Sequence, residues 1–350
     1  MTNPLLIILT AILIFLNLSI LLLFYALYLR RQTEKRKALV QDMTPIWDDR
    51  IEDWLLNDKL NNGSEAHPYE FLQYLMSSSE IFPHYDIKKL AALIRVMSLE
   101  EYLLKCIKGK NTLRKAWAIH IIGYFQIRSL KDELKVFLKH ENTVINYAAH
   151  LAMVRLVNPA ESDYFEILTS LIANFDSWTT EKLGEFIVLM GEDAGRELLR
   201  ILKEDQPQGR LRWFLIDIVG EMEVKDAEQV LVGYLDKDRE TVVHAIRSLG
   251  LIGNKEVLPQ LISLLGHQEW IIRAQVAKVL GYFKDVTLNL VLAEALEDEN
   301  WWVRHNAAQS IAATGDTGLS CLNEVACTNE KGVAQDMALF MLEKFEVRNA

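Results

Sequence analysis

Several common signatures of chemistry are missing from this chain of 350 residues. Its three cysteines, Cys106, Cys321 and Cys327, form no even-numbered disulfide framework of the kind found in small secreted domains. No phosphate-cradling glycine-rich motif, Gly-x-Ser-x-Gly elbow or His-Glu-x-x-His pair occurs. The eight histidines lack the paired spacing of a zinc site. The sequence therefore predicts no catalytic, cofactor-binding or metal-binding residues, and no enzyme.

Charged side chains are missing from the N-terminal stretch of the chain. No charged residue occurs between Pro4 and Leu29, and Thr10, Asn17 and Ser19 are its only clearly polar side chains. A helix of this length reaches about 39 Å, against about 30 Å for a bilayer's hydrocarbon core. A cleavable signal peptide has a basic segment followed by a shorter apolar run, whereas no Lys or Arg precedes this one. We therefore expect an uncleaved transmembrane helix over these residues.

Basic residues follow the apolar run at once: Arg30, Arg31, Lys35, Arg36 and Lys37. Cytoplasmic flanks carry the excess of Lys and Arg, so we expect a single-pass protein of the inner or plasma membrane. Its N-terminus would lie outside and the rest of the chain in the cytoplasm. Anionic lipid head groups also attract such a membrane-proximal basic cluster.

The remainder of the chain is acidic. Residues 30–37 carry five basic side chains and one acidic one, so the part from Ala38 onward has a net charge of −14, against −10 for the whole chain. A nucleic-acid binder normally presents a basic patch or stripe. The charge balance therefore argues against nucleic acid as a partner.

The chain repeats itself between about Gln206 and Cys327. Three positions recur at steps of 30, 31 and 31 residues; they are Arg212, Val242, Arg273 and Arg304, then Gly220, Gly250, Gly281 and Ala312, then Leu235, Leu265, Leu296 and Cys327. A fixed period in this range marks a repeat architecture, whose units must stack to share a core. The small residues would let helices approach closely, and Cys327 would be buried where earlier repeats have Leu.

Within each repeat the apolar spacing is helical. One stripe comprises Val303, Ala307, Ala308, Ile311 and Ala312, and a shorter second helix carries Leu288, Val291, Leu292, Ala295 and Leu296. Turn-prone pairs such as Gly253-Asn254 and Gly315-Asp316 separate the paired helices. Two helices and two turns in about 31 residues leave no room for a strand. The predicted fold class is all-α, an α-α superhelical solenoid behind one transmembrane helix.

The stretch Asp298-Glu-Asn-Trp-Trp-Val303-Arg304-His-Asn-Ala-Ala308, followed by Gly315-Asp316, resembles the HEAT family. The similarity is to the short HEAT-like repeats first described in phycobilin lyases, and it extends over about Leu113 to Phe345. The resemblance implies a ladder in which an Asp six residues before an Arg bonds along the stack. The residues assigned to this ladder are Asp298, Arg304, Arg273, Arg212 and Asp236.

The predicted domains are a transmembrane helix over 4–29, a basic juxtamembrane linker over 30–44, a helical region over 45–110 and the HEAT-like or armadillo-type solenoid over 111–346, clearest at 206–327. The region 45–110 is helical but not visibly repetitive, with breaks at Asn61–Ser64 and His67-Pro68. It is either the N-terminal cap that a solenoid needs or a separate small module.

The resemblance also implies that the helix carrying the Arg lines the concave side of the solenoid, where partners dock. Aromatic residues and a row of polar residues fall on that helix, and Trp and Arg are enriched at binding hot spots. The predicted protein-binding strip comprises Trp213, Asp217, Arg247, Lys278, Trp302, His305 and Gln309. Trp270 and Trp301 are expected to pack between repeats instead.

Three functional classes are open. The first is a membrane-anchored scaffold or adaptor that binds a protein partner at the cytoplasmic face, without catalysis or cofactor of its own. The second is an accessory subunit of a membrane enzyme complex, such as an envelope polysaccharide glycosyltransferase, or a lyase-like enzyme subunit. The third, a nucleic-acid-related protein like the HEAT-like DNA glycosylases, is disfavoured by the acidic charge and the expected anchor. The first class is favoured, although fold-level analogy alone names no partner.

Overall fold

The computed structural model describes residues 4–57, 65–81, 86–327 and 332–349. It divides into two compact units, Met1–Leu156 and Val157–Ala350. Helices make up the regular structure of the described ranges, in which no β-strand occurs. The predicted all-α repeat fold is therefore confirmed. The division after Leu156 does not coincide with the predicted start of the solenoid at residue 111.

The first unit contains the helices α1 (Pro4–Asn57), α2 (Pro68–Ile81), α3 (Ile87–Val96), α4 (Leu99–Lys108), α5 (Thr112–Tyr124), α6 (Lys131–Leu134) and α7 (Thr143–Leu156), with 3₁₀ helices at Arg128–Leu130 and Lys135–Lys139. Local sequence explains several helix starts. Pro68 begins α2, where its missing N–H is no loss. Asp86 and Asn111 cap α3 and α5, because their side chains accept hydrogen bonds from backbone N–H groups of the first turn. The predicted break at Asn61–Ser64 lies outside the described residues.

Helix α1 is 54 residues long and continuous. It contains the predicted span, the predicted linker at 30–44 and the start of the region 45–110, so the linker is helical. Its first part is exposed, as Phe15 at 73% illustrates, whereas Trp47 and Ile51 near its end are buried. The Trp47 ring lies 5.7 Å from that of Phe71 in α2. One helix therefore joins the apolar stretch to the core of the first unit.

Helices α5 and α7 pack closely through small residues. A Cβ built on Gly123 would lie 2.5 Å from the Cα and 2.7 Å from the Cβ of Ala152. A larger residue than Gly would therefore push the two helices apart. Gly123 lies upstream of residues 206–327, where the repeats are clearest, so the first unit also contains a closely packed helix pair.

The second unit contains α8 (Tyr164–Ala173), α9 (Thr180–Met190), α10 (Glu192–Glu204), α11 (Gly209–Glu221), α12 (Ala227–Val232), α13 (Arg239–Ile252), α14 (Leu258–Ser263), α15 (Trp270–Leu280), α16 (Asn289–Glu294), α17 (Trp301–Ala312), α18 (Asp316–Ala326) and α19 (Val333–Asn349), with 3₁₀ helices at Lys255–Val257, Leu264–Gly266, Gly281–Phe283, Val286–Leu288 and Ala295–Glu297. The helices of the predicted Arg-bearing series are α11, α13, α15 and α17. Each packs against the next in that series.

The recurring glycines lie at these contacts. A Cβ on Gly220 would lie 2.5 Å from the Cβ of Ser248, and one on Gly281 would collide with Ser310. The two serines are buried, and their hydroxyls donate to main-chain carbonyls of the preceding helix in the series, at 2.9 Å for Ser248 and 2.7 Å for Ser310. The glycine therefore leaves room for a serine that hydrogen-bonds across the repeat boundary.

The predicted apolar stripe of α17 is buried from Val303 to Ala312, as are Leu292 and Leu296 of the shorter helix before it. Gly253 caps the end of α13 and Gly315 lies immediately before α18, with φ of 72° and 73°, a conformation that favours glycine. The burial predicted for Cys327 is wrong, because α18 ends at Ala326 and the following thiol is exposed.

Candidate functional site

An arginine–aspartate pair joins two successive repeats. Arg273 of α15 donates from Nε to Oδ2 of Asp298 at 2.7 Å and from Nη2 to Oδ1 at 2.9 Å. Asp298 precedes α17, so the bond crosses into the next repeat. Burial alone would raise the pKa of Asp298, but the Arg273 hydrogen bonds and the backbone N–H of Asn300 hold that pKa below its usual value. The carboxylate therefore stays ionised as a structural partner.

The preceding pair is looser, and its carboxylate is not the predicted one. Arg212 Nη1 lies 3.4 Å from Oδ2 of Asp238, whereas Asp236 contacts the exposed Lys237 at 3.4 Å. Asp238 caps α13, accepting from the N–H of Thr241 at 3.1 Å and from its hydroxyl at 2.7 Å. The assignment of Asp236 to the ladder is wrong because the residue immediately before the helix, not the one six before the Arg position, faces back toward Arg212.

Arg304 makes a different contact from the one its spacing implies. Its Nη1 donates to the main-chain carbonyls of Asp298 and Glu299, at 2.7 and 2.9 Å. The carboxylate of Asp298 is engaged by Arg273 instead. Asp298 and Arg304 therefore occupy the family positions, but the side-chain bond runs between repeats and the bond within the repeat reaches the backbone.

The first residues of the predicted strip take part in contacts between repeats. The Trp213 ring stacks on His244 with the ring centroids 5.7 Å apart, and its Nε1 donates to the Thr241 hydroxyl at 3.1 Å. Asp217 lies 2.9 Å from Nδ1 of the same histidine. Trp213 and Asp217 are half-buried. They join α11 to α13, which leaves only part of each surface for a partner.

The middle of the strip is free surface. Arg247, Lys278 and Gln309 are exposed at equivalent positions of α13, α15 and α17. Arg247 has one loose ion pair, to Glu221 at 3.7 Å. An exposed ion pair of this kind contributes little to stability. These three side chains can therefore reorient toward a bound protein at small cost.

An exposed aromatic cluster lies where the first turns of α17 meet α19. It is formed by Trp301, Trp302, His305 and Phe340. Trp302 is 54% exposed, Phe340 47% and Trp301 43%. The His305 ring stacks on Trp301 with centroids 4.7 Å apart and lies 6.1 Å from Phe340 of α19. Exposed aromatic surface of this kind is typical of a binding site.

His305 is the polar centre of this aromatic cluster. Its Nδ1 is buried and has no hydrogen-bond partner within the described ranges. Burial, together with the charge of Lys344, lowers the pKa of His305 below the usual histidine value. The imidazole is therefore neutral at neutral pH, and one ring nitrogen is shielded from solvent.

Sequence reasoning missed two features of this face. Trp270 and Trp301 remain 40% and 43% exposed, so they do not fill the gap between repeats as expected. His244, which holds both Trp213 and Asp217, was not among the candidates. His244 follows the Arg-equivalent Val242 by two residues, and this repeat position could have indicated that it lies near the preceding helix of the series. Among the described residues, no three His, Cys, Asp or Glu side chains are grouped as a metal site would require.

The membrane-proximal basic residues fall into two groups. Arg30, Arg31 and Lys35 are exposed on α1. Lys37 pairs with Glu34 at 3.3 Å within the helix. Arg36 contacts α2, lying 3.4 Å from Glu70 and with its guanidinium 4.5 Å from the Tyr69 ring centre. Arg36 therefore joins α2 to α1, whereas Arg30, Arg31 and Lys35 remain exposed.

The part of α1 from Ile12 onward is long and apolar enough to cross a membrane by length and composition. None of its apolar window is buried against the rest of the chain. Its length, composition and exposure are compatible with a membrane anchor.

Comparisons with known families identify the repeats. Residues 258–343 match the profile described as HEAT repeats, and residues 243–267 match the profile described as PBS lyase HEAT-like repeat. The longer match covers about a quarter of the chain. No curated protein matches the sequence.

Three solved structures are similar at low identity. The YibA protein of Escherichia coli is 10% identical, with 82% of this chain and all of that chain covered and a TM-score of 0.38. The CpcE–CpcF complex of phycocyanin lyase from Nostoc sp. PCC7120 is 15% identical, covering 70% and 87% with a TM-score of 0.27. An engineered protein is 17% identical, covering 71% and 96% with a TM-score of 0.26. The family matches, rather than these structures, support HEAT-like repeats within residues 243–343.

Proposed function

We propose that this chain is a single-pass, membrane-anchored helical-repeat scaffold that holds a protein partner at the cytoplasmic face. The observation that carries the proposal is α1, whose residues from Ile12 to Leu29 are exposed, whereas Trp47 and Ile51 near its end are buried in the first unit. An apolar helix of this length is unfavourable in water and stable in hydrocarbon, where its backbone hydrogen bonds are satisfied internally.

The orientation follows from Arg30, Arg31 and Lys35, which are exposed just after the span. Positive charge is retained on the cytoplasmic side, so the repeats would lie in the cytoplasm. Cys327 offers a native reporter because its thiol is exposed, whereas that of Cys106 is buried.

The topology experiment uses an impermeant maleimide on right-side-out vesicles. Cys327 should react only after permeabilisation, and an Asn3→Cys substitution in a Cys327→Ser background should react before it. Labelling of Cys327 in intact vesicles would show that the orientation is the opposite of the one proposed. Recovery of the full chain in the supernatant after ultracentrifugation without detergent would remove the anchor from the proposal.

The partner-binding surface is proposed to run from Arg247 and Lys278 to the aromatic cluster at Trp302. Aromatic anchors beside mobile charged side chains match the composition of binding hot spots. Native-membrane crosslinking followed by mass spectrometry would name the partner. The Trp302→Ala/Arg247→Ala variant should then lose most of that crosslink.

The matched control is Leu290→Ala/Arg196→Ala, which removes an exposed apolar and an exposed basic side chain from α16 and α10. This control should crosslink as the unchanged protein does. Equal loss in both variants, or in neither, would exclude the proposed surface.

We propose further that the chain has no catalysis of its own. A scaffold should co-purify from detergent with a stoichiometric partner and show no turnover when that partner is removed. A lyase-like subunit would instead bind a bilin and gain visible absorbance. An accessory subunit of an enzyme complex would change the rate of its purified partner enzyme.

A further inference from the structure

A basic groove lies between α10 and α12, the shorter helices of two successive repeats. It encloses about 390 Å³, and its lining includes Lys203, Arg212, Lys237, Tyr234, Leu202 and Gln229. Three lining side chains are cationic and no carboxylate lines the groove. This stands out in a chain whose net charge is −10.

The same groove recurs two repeats later with the opposite charge. It lies between α14 and α16 and encloses about 460 Å³. Gly233 and Tyr234 of the first groove correspond, two repeat steps later, to Glu294 and Ala295, and Lys237 follows Asp236, the counterpart of Asp298. Glu297 adds a third carboxylate there. Because the repeat geometry is shared, the architecture alone does not require basic residues in this groove.

Arg212 gives the groove a fixed positive charge. Its side chain is only 9% exposed. Nε donates to the carbonyl of Pro207 at 2.7 Å and Nη2 to the side chain of Gln208. The carboxylate of Asp238 is 3.4 Å away, so Arg212 lacks the close bidentate partner that Arg273 has. A buried guanidinium with a weak counter-ion favours an added anion.

The two lysines are available to complete the site. Lys203 is exposed and makes no ion pair with any described residue, and Lys237 pairs only with Asp236, which is itself 77% exposed. The Tyr234 ring is held as an apolar wall, because its hydroxyl donates to the carbonyl of Leu202 at 2.6 Å. Mobile lysines around a fixed guanidinium suit a compact, multiply charged anion.

We propose that this groove binds a small phosphate-bearing molecule, with the phosphate between Lys203, Lys237 and Arg212 and any apolar portion against Tyr234. Its volume falls within the range of small-molecule sites. The site uses the short-helix groove and not the exposed face of α13, α15 and α17, so it adds a ligand-binding function to the proposed scaffold.

The test titrates inorganic phosphate into the full chain in detergent micelles at constant ionic strength set with chloride. The ¹⁵N–H signal of Arg212 Nε should shift and saturate below about 10 mM phosphate. Arg273 is the internal reference, since it is the repeat equivalent of Arg212 and its partner Asp298 lines the acidic groove, and its signal should stay in place.

Charge-altering variants give the second measurement. Lys203→Glu/Lys237→Asp should weaken phosphate binding about tenfold or more, and Lys203→Gln/Lys237→Gln should weaken it by less. The matched control, Glu294→Gln/Glu297→Gln in the acidic groove, should bind as the unchanged protein does. Unsaturable shifts, equal shifts of Arg212 and Arg273, or binding unchanged by the lysine substitutions would overturn the proposal. The membrane-insertion and partner-crosslinking experiments test other residues. Failure of phosphate binding would therefore leave the proposed scaffold function untouched, and the reverse also holds.

Discussion

Arg273 and Asp298 form a bidentate ion pair across a repeat boundary, with both N–H···O distances below 3 Å. The same carboxylate accepts the N–H of Asn300 at 2.8 Å, in the turn that leads into α17. Asp298 therefore ties α15 to the start of the next repeat. The side chains of Arg273 and Asp298 are each about 10% exposed, so solvent screens this ion pair far less than it screens a surface pair.

We expect Asp298→Ala to lower the free energy of unfolding by about 3 kcal/mol, because it removes the bidentate partner of the buried Arg273 and leaves only the exposed Glu299 at 3.4 Å as a carboxylate partner. The Asp236→Ala control removes an exposed carboxylate and should change stability by less than about 0.5 kcal/mol. Urea unfolding of the full chain in micelles, followed by tryptophan fluorescence, measures both. Equal effects of the two substitutions would contradict the structural role of the ladder.

The glycine contacts predict a steric effect. Gly220→Ala places a methyl group 2.5 Å from the Cβ of Ser248 and 2.7 Å from its Cα, so α11 and α13 must separate. Overpacking of this kind costs about 1–3 kcal/mol. Gly266→Ala is the control, because nothing lies within 4 Å of the added Cβ. Thermal unfolding should show a lower midpoint for the first variant alone; an unchanged midpoint would mean that the helices are not in close contact.

Acid should weaken the repeat boundaries. Hydrogen bonds from Lys255 and Thr287 lower the pKa of Asp285 to about 2, and the pKa of Asp298 is also lowered, although burial opposes that shift. A depressed carboxyl pKa gives stability that is present above the ordinary aspartate value and is lost as pH falls through the folded-state value. We expect the midpoint temperature of thermal unfolding to fall as the pH is lowered from about 4 toward 2.

The Asp285→Asn variant tests the assignment. Its amide cannot titrate, so this variant should be less stable near neutral pH and should lose less stability on acidification than the unchanged protein. Parallel pH curves for the two proteins would show that Asp285 is not a source of the acid sensitivity.

Protonation of His305 should disturb the aromatic cluster. Its pKa is lowered by burial and by Lys344, so the folded state favours the neutral ring. The associated stability is present above the ordinary histidine pKa, about 6.5, and is lost as pH falls through the lower folded-state value. The Trp301 emission should change in that window as the stacked ring becomes charged.

The His305→Gln variant separates this effect from other titrations. It should abolish the change in Trp301 emission below about pH 6.5. A Trp301→Phe variant identifies the reporting ring, since it should remove the signal while leaving the histidine in place. Persistence of the pH-dependent signal in either variant would exclude the pair as its source.

The repeat series could be predicted from sequence because its determinants are local. Apolar residues at helical spacing define each helix, and a period of about 31 residues aligns Gly220 with Gly250 and Gly281. The contact partner of each glycine was not predictable, because it depends on how two helices cross. Ser248 and Ser310 were accordingly unrecognised until the packing was known.

The ladder and the membrane-proximal helix were predicted only in part. Counting six residues back from each Arg position selects Asp236, whereas the turn before α13 brings Asp238 toward Arg212. The segments before α13 and α17 are equally long, but only the one before α17 contains a 3₁₀ helix, Ala295–Glu297, and a fixed spacing rule does not reveal that difference. The contact of Arg36 with Glu70 joins elements 34 residues apart, and no periodicity in the sequence connects them.

The continuity of α1 has a mechanical consequence for the proposed membrane anchoring. Trp47, the first fully buried residue of the helix, lies 18 residues after Leu29, which places it about 27 Å farther along the axis. A flexible linker would leave the distance between the first unit and the proposed membrane span undefined. Under the proposed anchoring, the continuous helix would fix the distance between the first unit and the membrane, and a tilt of the helix would move that unit sideways; Pro45 is the proline inside the helix at which it can bend.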